Sequence, residues 1–241
     1  MTTPVPAENH IFESGESLAR HAAEWLCALA NAGDRAFAVC LSGGSTPRRL
    51  YDYLADPTFA SRFPWGRAHW FWGDERFVPH DHRDSNFRMA REAFLSRVPI
   101  PAENIHPIPT EYLTPDQSAA EYETTLKRFY GADTLKSSRP LFDVTLLGIG
   151  EDGHTASLFP GQPALREVRR WAVPVIGAKA EPRITLTYPV LDSSGDAAFL
   201  AVGGDKSNIV TRAQRGDRTI PAAMIRPVGR LHWFMDCATA S

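Results

Sequence analysis

The chain has little cysteine, no long apolar run and no excess of charge of either sign. Its three cysteines, Cys27, Cys40 and Cys237, lie far apart and form no C-x-x-C pair, so neither a zinc ribbon nor a dithiol redox motif is expected. Cys40 sits inside an apolar run, where a thiol behaves as a small hydrophobe. No segment approaches the ~20 apolar residues of a membrane-spanning helix, and no membrane partner is expected. The opening "MTTPVPAENH" lacks a basic region and an apolar stretch. We therefore expect no secretory leader and a cytoplasmic protein. A net charge of -2 removes the basic bias that non-specific nucleic-acid binding needs, although local basic clusters could still hold a small anion. Internal repeats and low-complexity segments are absent as well. What is left is 241 residues read as one domain, 1–241, large enough to bury a core without disulfides or metal.

What is present is alternation. Apolar runs flanked by turn residues read as buried strands at 37–42, 69–74, 142–150, 171–176, 197–204 and 231–236, with shorter candidates at 10–14, 104–108 and 183–188. Helical patterns lie between them. Leu18, Ala22, Trp25, Leu26 and Leu29 share a helical face, with Gly33 as the expected stop. Ser85 can cap a helix carrying Phe87, Ala90, Phe94, Leu95 and Val98. Thr114-Pro115-Asp116-Gln117 is a capping box with proline at the first helical position. Tyr122, Leu126, Phe129 and Tyr130 follow it at helical spacing. A further helix is expected from about 206 to 214, with Ile209, Val210 and Ala213 inward. Strand–helix alternation predicts an α/β fold with a mainly parallel sheet and helices on both faces. Ligands of such sheets bind at the carboxyl ends of the strands.

Four strand ends carry chemistry. In "LSGGSTPRRL", Gly43, Gly44 and Ser45 precede a helix opened by Pro47. This is either a plain capped turn or an anion cradle of backbone amides at a helix N-terminus. It is not a P-loop, because G-x-x-x-x-G-K-[ST] is missing. In "WFWGDERFVPHDHRDSN", Asp74, Glu75 and Arg76 follow a strand. They read as a buried ion pair, or as a guanidinium offered to an anionic group with Asp74 facing the pocket. His80 and His82 read as solvated surface, and "HDH" has no metal-ligand spacing. In "GIGEDGHTASLFPG", His154 leaves a buried strand in a loop with three glycines, and a neutral imidazole is the natural general base near neutral pH. In "GGDKSNIV", Asp205 can cap a helix, which would place Lys206 in its first turn. A phosphate held jointly by the lysine and the helix end would offset the unfavourable dipole there; an exposed lysine is the alternative.

Gly148-Ile-Gly150-Glu-Asp-Gly153 spells G-x-G-x-x-G, the dinucleotide fingerprint. A dinucleotide loop opens a long helix and leads to an acidic residue ~20 positions on. Here Pro160, Gly161 and Pro163 stop any helix, and Glu151 and Asp152 put negative charge where a pyrophosphate would lie. The match is by letter only, and a nicotinamide-dependent oxidoreductase is disfavoured.

At these four places the chain resembles the glucosamine-6-phosphate isomerase/6-phosphogluconolactonase superfamily. The matching blocks are "LSGGSTPRRLY", "WFWGDERFVPHDHRDSN", "FDVTLLGIGEDGHTASLFPG" and "PRITLTYPVL", extended by "GGDK" and "LHWFMD" nearly to the C-terminus. The resemblance implies a Rossmann-like fold, no metal or organic cofactor, and hydrolysis of a phosphorylated sugar lactone, 6-phospho-D-glucono-1,5-lactone, in the oxidative pentose phosphate pathway. It implies His154 as base. It assigns the phosphate to Gly43, Gly44, Ser45, Arg76 and Lys206, with Arg183 as a further anion contact. Asp74, Asp152 and Asn86 line or order the pocket. The sister amino-sugar phosphate deaminases resemble the chain in the G-x-D-G-H block but carry a glutamate five residues after the histidine, where this chain has Phe159. An apolar ring transfers no protons, which favours the lactonase. A non-catalytic sugar-phosphate sensor is the other alternative. Partners other than the small substrate are not expected beyond a monomer or weak homo-oligomer.

Overall fold

The computed structural model describes residues 7–241; residues 1–6, on which part of the N-terminal reading rests, lie outside that range. Strands β1 (Ala7–Phe12), β2 (Phe37–Leu41), β3 (Ala68–Trp72), β4 (Asp74–Arg76), β5 (Phe142–Leu147), β6 (Ala172–Val175), β7 (Arg183–Leu186), β8 (Ser194–Ala201) and β9 (Arg230–Asp236) alternate with eight α-helices. The helices are α1 (Gly15–Asn31), α2 (Ser45–Leu54), α3 (Pro57–Ala60), α4 (Asn86–Ala90), α5 (Pro115–Tyr130), α6 (Tyr188–Leu191), α7 (Ser207–Gln214) and α8 (Cys237–Ala240). Six strands form one sheet in the order β1-β9-β8-β5-β2-β3, and each neighbouring pair is parallel. All five residues of β2 are buried, as a strand covered on both faces requires. Trp70, Trp72, Trp233, Tyr51 and Tyr122 are the largest fully buried side chains of the core. No helix among the described residues is long and apolar enough to cross a membrane.

The remaining strands depart from the expected single sheet. The apolar run at 69–74 breaks at Gly73, whose amide still follows β2 through Leu41 O at 2.9 Å while its carbonyl accepts from Leu186 N at 2.8 Å. Beyond that joint, β4 leaves the main sheet and pairs antiparallel with β7, which pairs antiparallel with β6. The runs at 171–176 and 183–188 thus build a second, three-stranded sheet. Residues 104–108 form no strand; Ile105 makes a single bridge to Trp70.

Helix ends follow the sequence at most places. Ser14 caps α1 in a capping box with Ser17, and Thr114 and Gln117 do the same for α5, which ends at Gly131 in the left-handed conformation. Ser85 accepts from Arg88 N, and α4 continues as a wider turn over Arg91–Leu95. Two expectations fail. The stop of α1 is Ala32 in a right-handed conformation, and Gly33 has no positive φ. Asp205 does not cap α7: it lies in a short 3-10 turn, Gly204–Lys206, and Lys206 occupies the cap position.

Two tyrosine hydroxyls clamp the strand ends that lead into the site. Tyr51 on α2 donates to Ser42 O at 2.8 Å and accepts from Ser42 N at 3.0 Å. Tyr122 on α5 does the same for Trp72, at 2.9 and 2.8 Å. Both are buried, and each satisfies an amide and a carbonyl that the ending ladder would leave orphaned.

Candidate active site

A cavity of about 300 Å³ opens where β2, β4, β5 and β7 deliver their ends; among the residues lining it are Gly43, Asp74, Arg76, Asn86, His154 and Arg183. Each wall has a local cause. After β2 the chain turns through Gly43 and Gly44 into α2. A Cβ on Gly43 would lie 2.1 Å from Asn86 Oδ1, so only glycine lets these loops meet. Gly44 has φ 108° and α2 has no side-chain cap and no acid in its first turn, which leaves its leading amides suited to an anion. Ser45 itself faces an adjoining hollow with Arg48, Arg83 and Arg88 rather than the main cavity.

Along β4 the side chains alternate. Asp74 and Arg76 face the cavity, while Glu75 turns inward and is 1% exposed. Glu75 accepts from the amides of Arg76, Asn86 and Phe87 and from Ser85 Oγ. Burial outweighs those bonds and pushes its carboxyl up to about 7. It ties the start of α4 to β4, and Asn86 completes the tie by donating Nδ2 to Asp74 O at 2.9 Å. Asp74 Oδ2 in turn accepts from Ser157 Oγ at 2.5 Å. His80 of the same segment is half-buried, its ring tilted against Phe87 and its Nε2 2.8 Å from Ile108 O, contrary to the expected solvated position.

Arg76 and Arg183 stand directly opposite each other in the β4–β7 register. Like charges so placed repel. Burial, and then Arg76, lower the tendency of the Arg183 guanidinium to stay charged. Arg76 donates to Asp84 O at 2.6 Å. Arg183 is only 3.9 Å from Glu181, and its buried Nε has no partner. Two facing guanidiniums with an unused buried donor have the chemistry to receive a multiply charged anion.

The loop after β5 presents His154. Gly150 N donates to His154 O and Gly153 N to Gly150 O, both at 2.9 Å, closing a tight turn in which Gly153 has φ 79°. A Cβ on Gly150 would sit 2.2 Å from the imidazole. Asp152 Oδ1 accepts from His154 N at 3.1 Å and lies 2.5 Å from His154 Nδ1. Burial raises the Asp152 carboxyl, but the bonds from the His154 ring and amide outweigh it and hold it below the ordinary range. Asp152 is not among the residues lining the cavity; it holds the histidine through Nδ1. The buried Phe159 ring packs 4.5 Å from the imidazole, centroid to centroid.

Lys206 is not among the lining residues. The cavity is lined instead by Lys179, from the loop between β6 and β7, with Nζ 5.3 Å from the centre of the Phe159 ring. Lys179 and Ser157 escaped the sequence reading. Ser157 lies three residues beyond His154, inside a block already singled out; Lys179 has no local motif.

The sequence pattern described as glucosamine-6-phosphate isomerases/6-phosphogluconolactonase matches residues 13–233. A 6-phosphogluconolactonase of Nostoc is 43% identical over 85% of this chain and 84% of its own. The human 6-phosphogluconolactonase is 36% identical over 100% of this chain and 95% of its own. The crystal structure of the Thermotoga maritima 6-phosphogluconolactonase superposes with a TM-score of 0.81 at 30% identity, covering 96% of this chain and all of that one. A monomeric glucosamine-6-phosphate deaminase shares the fold, with a TM-score of 0.80 at 17% identity over 97% of this chain and 98% of that one, so the fold by itself does not separate the two activities. Over nearly its whole length, this chain belongs to the glucosamine-6-phosphate isomerase/6-phosphogluconolactonase family.

Proposed function

We propose that the chain hydrolyses 6-phospho-D-glucono-1,5-lactone to 6-phosphogluconate, with His154 as general base. The observation that carries this reading is the meeting, in one cavity, of His154, held by Asp152, with the facing Arg76 and Arg183 guanidiniums. The guanidiniums take the phosphate; the lactone ring then lies over the imidazole. With Nδ1–H donated to Asp152, His154 Nε2 carries the lone pair. It removes a proton from a water molecule attacking the C1 carbonyl, and Asp152 steadies the imidazolium that forms. Backbone amides of the glycine-rich turns are the donors at hand for the oxyanion. The proton then passes to the ring oxygen as the C1–O bond breaks, giving the open acid.

Phe159 decides between the sister chemistries. Amino-sugar ring opening and isomerisation need proton transfers at several atoms, and the ring packed on His154 supplies no second group. The relatives named for lactonase activity point the same way. The test is a pH-stat or coupled-dehydrogenase assay on freshly prepared lactone, corrected for spontaneous hydrolysis. Acceleration well above background is expected, with no deamination of glucosamine 6-phosphate. No acceleration would overturn the reading.

A further inference from the structure

Three strands bring a second cluster of ligating side chains together near the amino ends of the main sheet, away from the cavity. Glu8 and His10 lie two apart on β1, His232 lies on β9, and Asp196 lies on β8. Glu8 and His232 are direct partners in the β1–β9 register. His10 Nε2 is 3.2 Å from His232 Nδ1. Glu8 Oε2 is 3.6 Å from His232 Nδ1 and 4.0 Å from His10 Nε2. The one potential ligand atom of each of the three residues thus falls within 4.8 Å of the others. Tetrahedral ligands at about 2.0–2.1 Å from a zinc ion stand about 3.3 Å apart, so the two separations to His232 Nδ1 are within a few tenths of an ångström of that spacing, and the exposed Glu8 carboxylate must close on His10 by about 0.7 Å.

The support behind the cluster matches a metal centre. His232 is 1% exposed, and its Nε2 is 2.8 Å from Asp196 Oδ1. That bond leaves Nδ1 as the ring's lone-pair nitrogen, aimed at His10 and Glu8. A carboxylate behind a histidine in this way fixes the tautomer and raises the ligand's basicity. Asp196 is itself held by Arg230 at 2.8 and 3.2 Å. Phe234 stacks on His10 at 4.5 Å and Trp25 of α1 edges His232 at 5.2 Å, closing one side with apolar rings. Glu8 is exposed, so the other side is open to solvent for entry and for a water as fourth ligand. The local charge of Glu8, Asp196 and Arg230 sums to one negative unit when the imidazoles are neutral.

We propose that Glu8, His10 and His232 form a binding site for a divalent transition-metal ion, zinc by its donor set, that ties the edge strand β1 to β9. The site is separate from the catalytic cavity and takes no part in the hydrolysis. Among the described residues β1 pairs on one side only, so a cross-strand ion strengthens an edge strand of the sheet.

The test titrates Zn²⁺ alone into the full chain by calorimetry and follows thermal unfolding with and without it. One equivalent should bind and raise Tm. His10→Ala and the surface variant Glu8→Gln, both checked for an unchanged far-UV spectrum without metal, should weaken binding at least tenfold and abolish the Zn²⁺-dependent rise in Tm. Asp196→Asn should weaken it by about 10- to 100-fold. His154→Ala should bind Zn²⁺ as the parent does. The proposal is overturned if no stoichiometric binding occurs, if His10→Ala and Glu8→Gln bind Zn²⁺ unchanged, or if binding is lost in His154→Ala instead.

Discussion

His154 lines the cavity with its Nδ1 engaged by Asp152. Removing the base by His154→Ala should lower kcat by about 10²–10⁴-fold, with KM little changed, because the phosphate contacts are elsewhere. Near-normal turnover would remove the histidine from the mechanism. Asp152→Asn keeps an oxygen beside Nδ1 but loses the charge that steadies the imidazolium. A hydrogen bond to a charged group contributes about 1.5–3 kcal/mol, so kcat should fall by about 10- to 100-fold. The guanidiniums act on a different parameter. Arg183→Ala and Arg76→Ala should each reduce kcat/KM for the phosphorylated lactone by about the same 10- to 100-fold, chiefly through KM. Arg183→Lys should rescue little, since a point charge does not reproduce a fork of donors. If either arginine variant lost nothing with the phosphorylated substrate, or if the parent enzyme used the unphosphorylated lactone equally well, the phosphate would have to be held elsewhere.

At the scale of elements, the site is a set of strand exits, and that is why much of it was legible. A buried strand that breaks into glycines, hydroxyls or charge is a local pattern, and the blocks holding Gly43, Asp74, Arg76, Asn86 and His154 do meet in one cavity. What was hidden depends on which sheet a strand joins. Apolar runs of four to six residues carry no label for their partners. The antiparallel trio β4-β7-β6, and with it the facing of Arg76 by Arg183, therefore appeared only in three dimensions. Lys206 and Lys179 show the same limit: one has the suggestive helix start and lies outside the cavity lining, the other has no motif and lies within it. The metal-ligand cluster was invisible because its donors come from residues 8, 10 and 232, with no short spacing to count. Glu75 is the element-scale counterpart of the arginines, since it anchors α4 to β4. Glu75→Gln replaces one acceptor oxygen by a donor facing amides and a hydroxyl that also donate. Leaving such buried donors unpaired costs about 1–3 kcal/mol. Urea unfolding should show that loss, together with a raised KM as Arg76 and Asn86 shift. An unchanged midpoint and KM would mean that the α4 anchor lies elsewhere.

Across the whole molecule, buried groups give stability an unusual dependence on pH. Burial pushes Glu75 and Asp192 up to about 7 from ordinary values of 4.5 and 3.8. In the window between, the folded chain holds protons that the unfolded chain has released, so each group stabilises the fold fully at low pH and loses that contribution as pH rises through about 7. Burial, and then His69, push His106 down to about 4 from 6.5, and His10 and His69 are lowered as well. For these the unfolded chain holds the extra protons, so their contribution grows as pH rises toward 6.5. The two trends oppose each other between about 4.5 and 6.5. Above 6.5 the unfolded histidines release their remaining protons, which offsets only part of the carboxyl loss. The remaining half unit for each carboxyl amounts to about 0.7 kcal/mol. The chain should therefore be about 1 kcal/mol less stable at pH 8 than at pH 6.5, measured as a lower urea midpoint at constant m. Asp192→Asn keeps the oxygen that accepts from Arg226 N at 2.7 Å but cannot ionise, so it should reduce that fall by about half. An Asp192→Asn protein that loses as much stability between pH 6.5 and 8 as its parent would show that Asp192 does not titrate in this window. His106→Gln, which removes the largest opposing contribution, should extend the decline downward so that stability falls from about pH 4.5 onward.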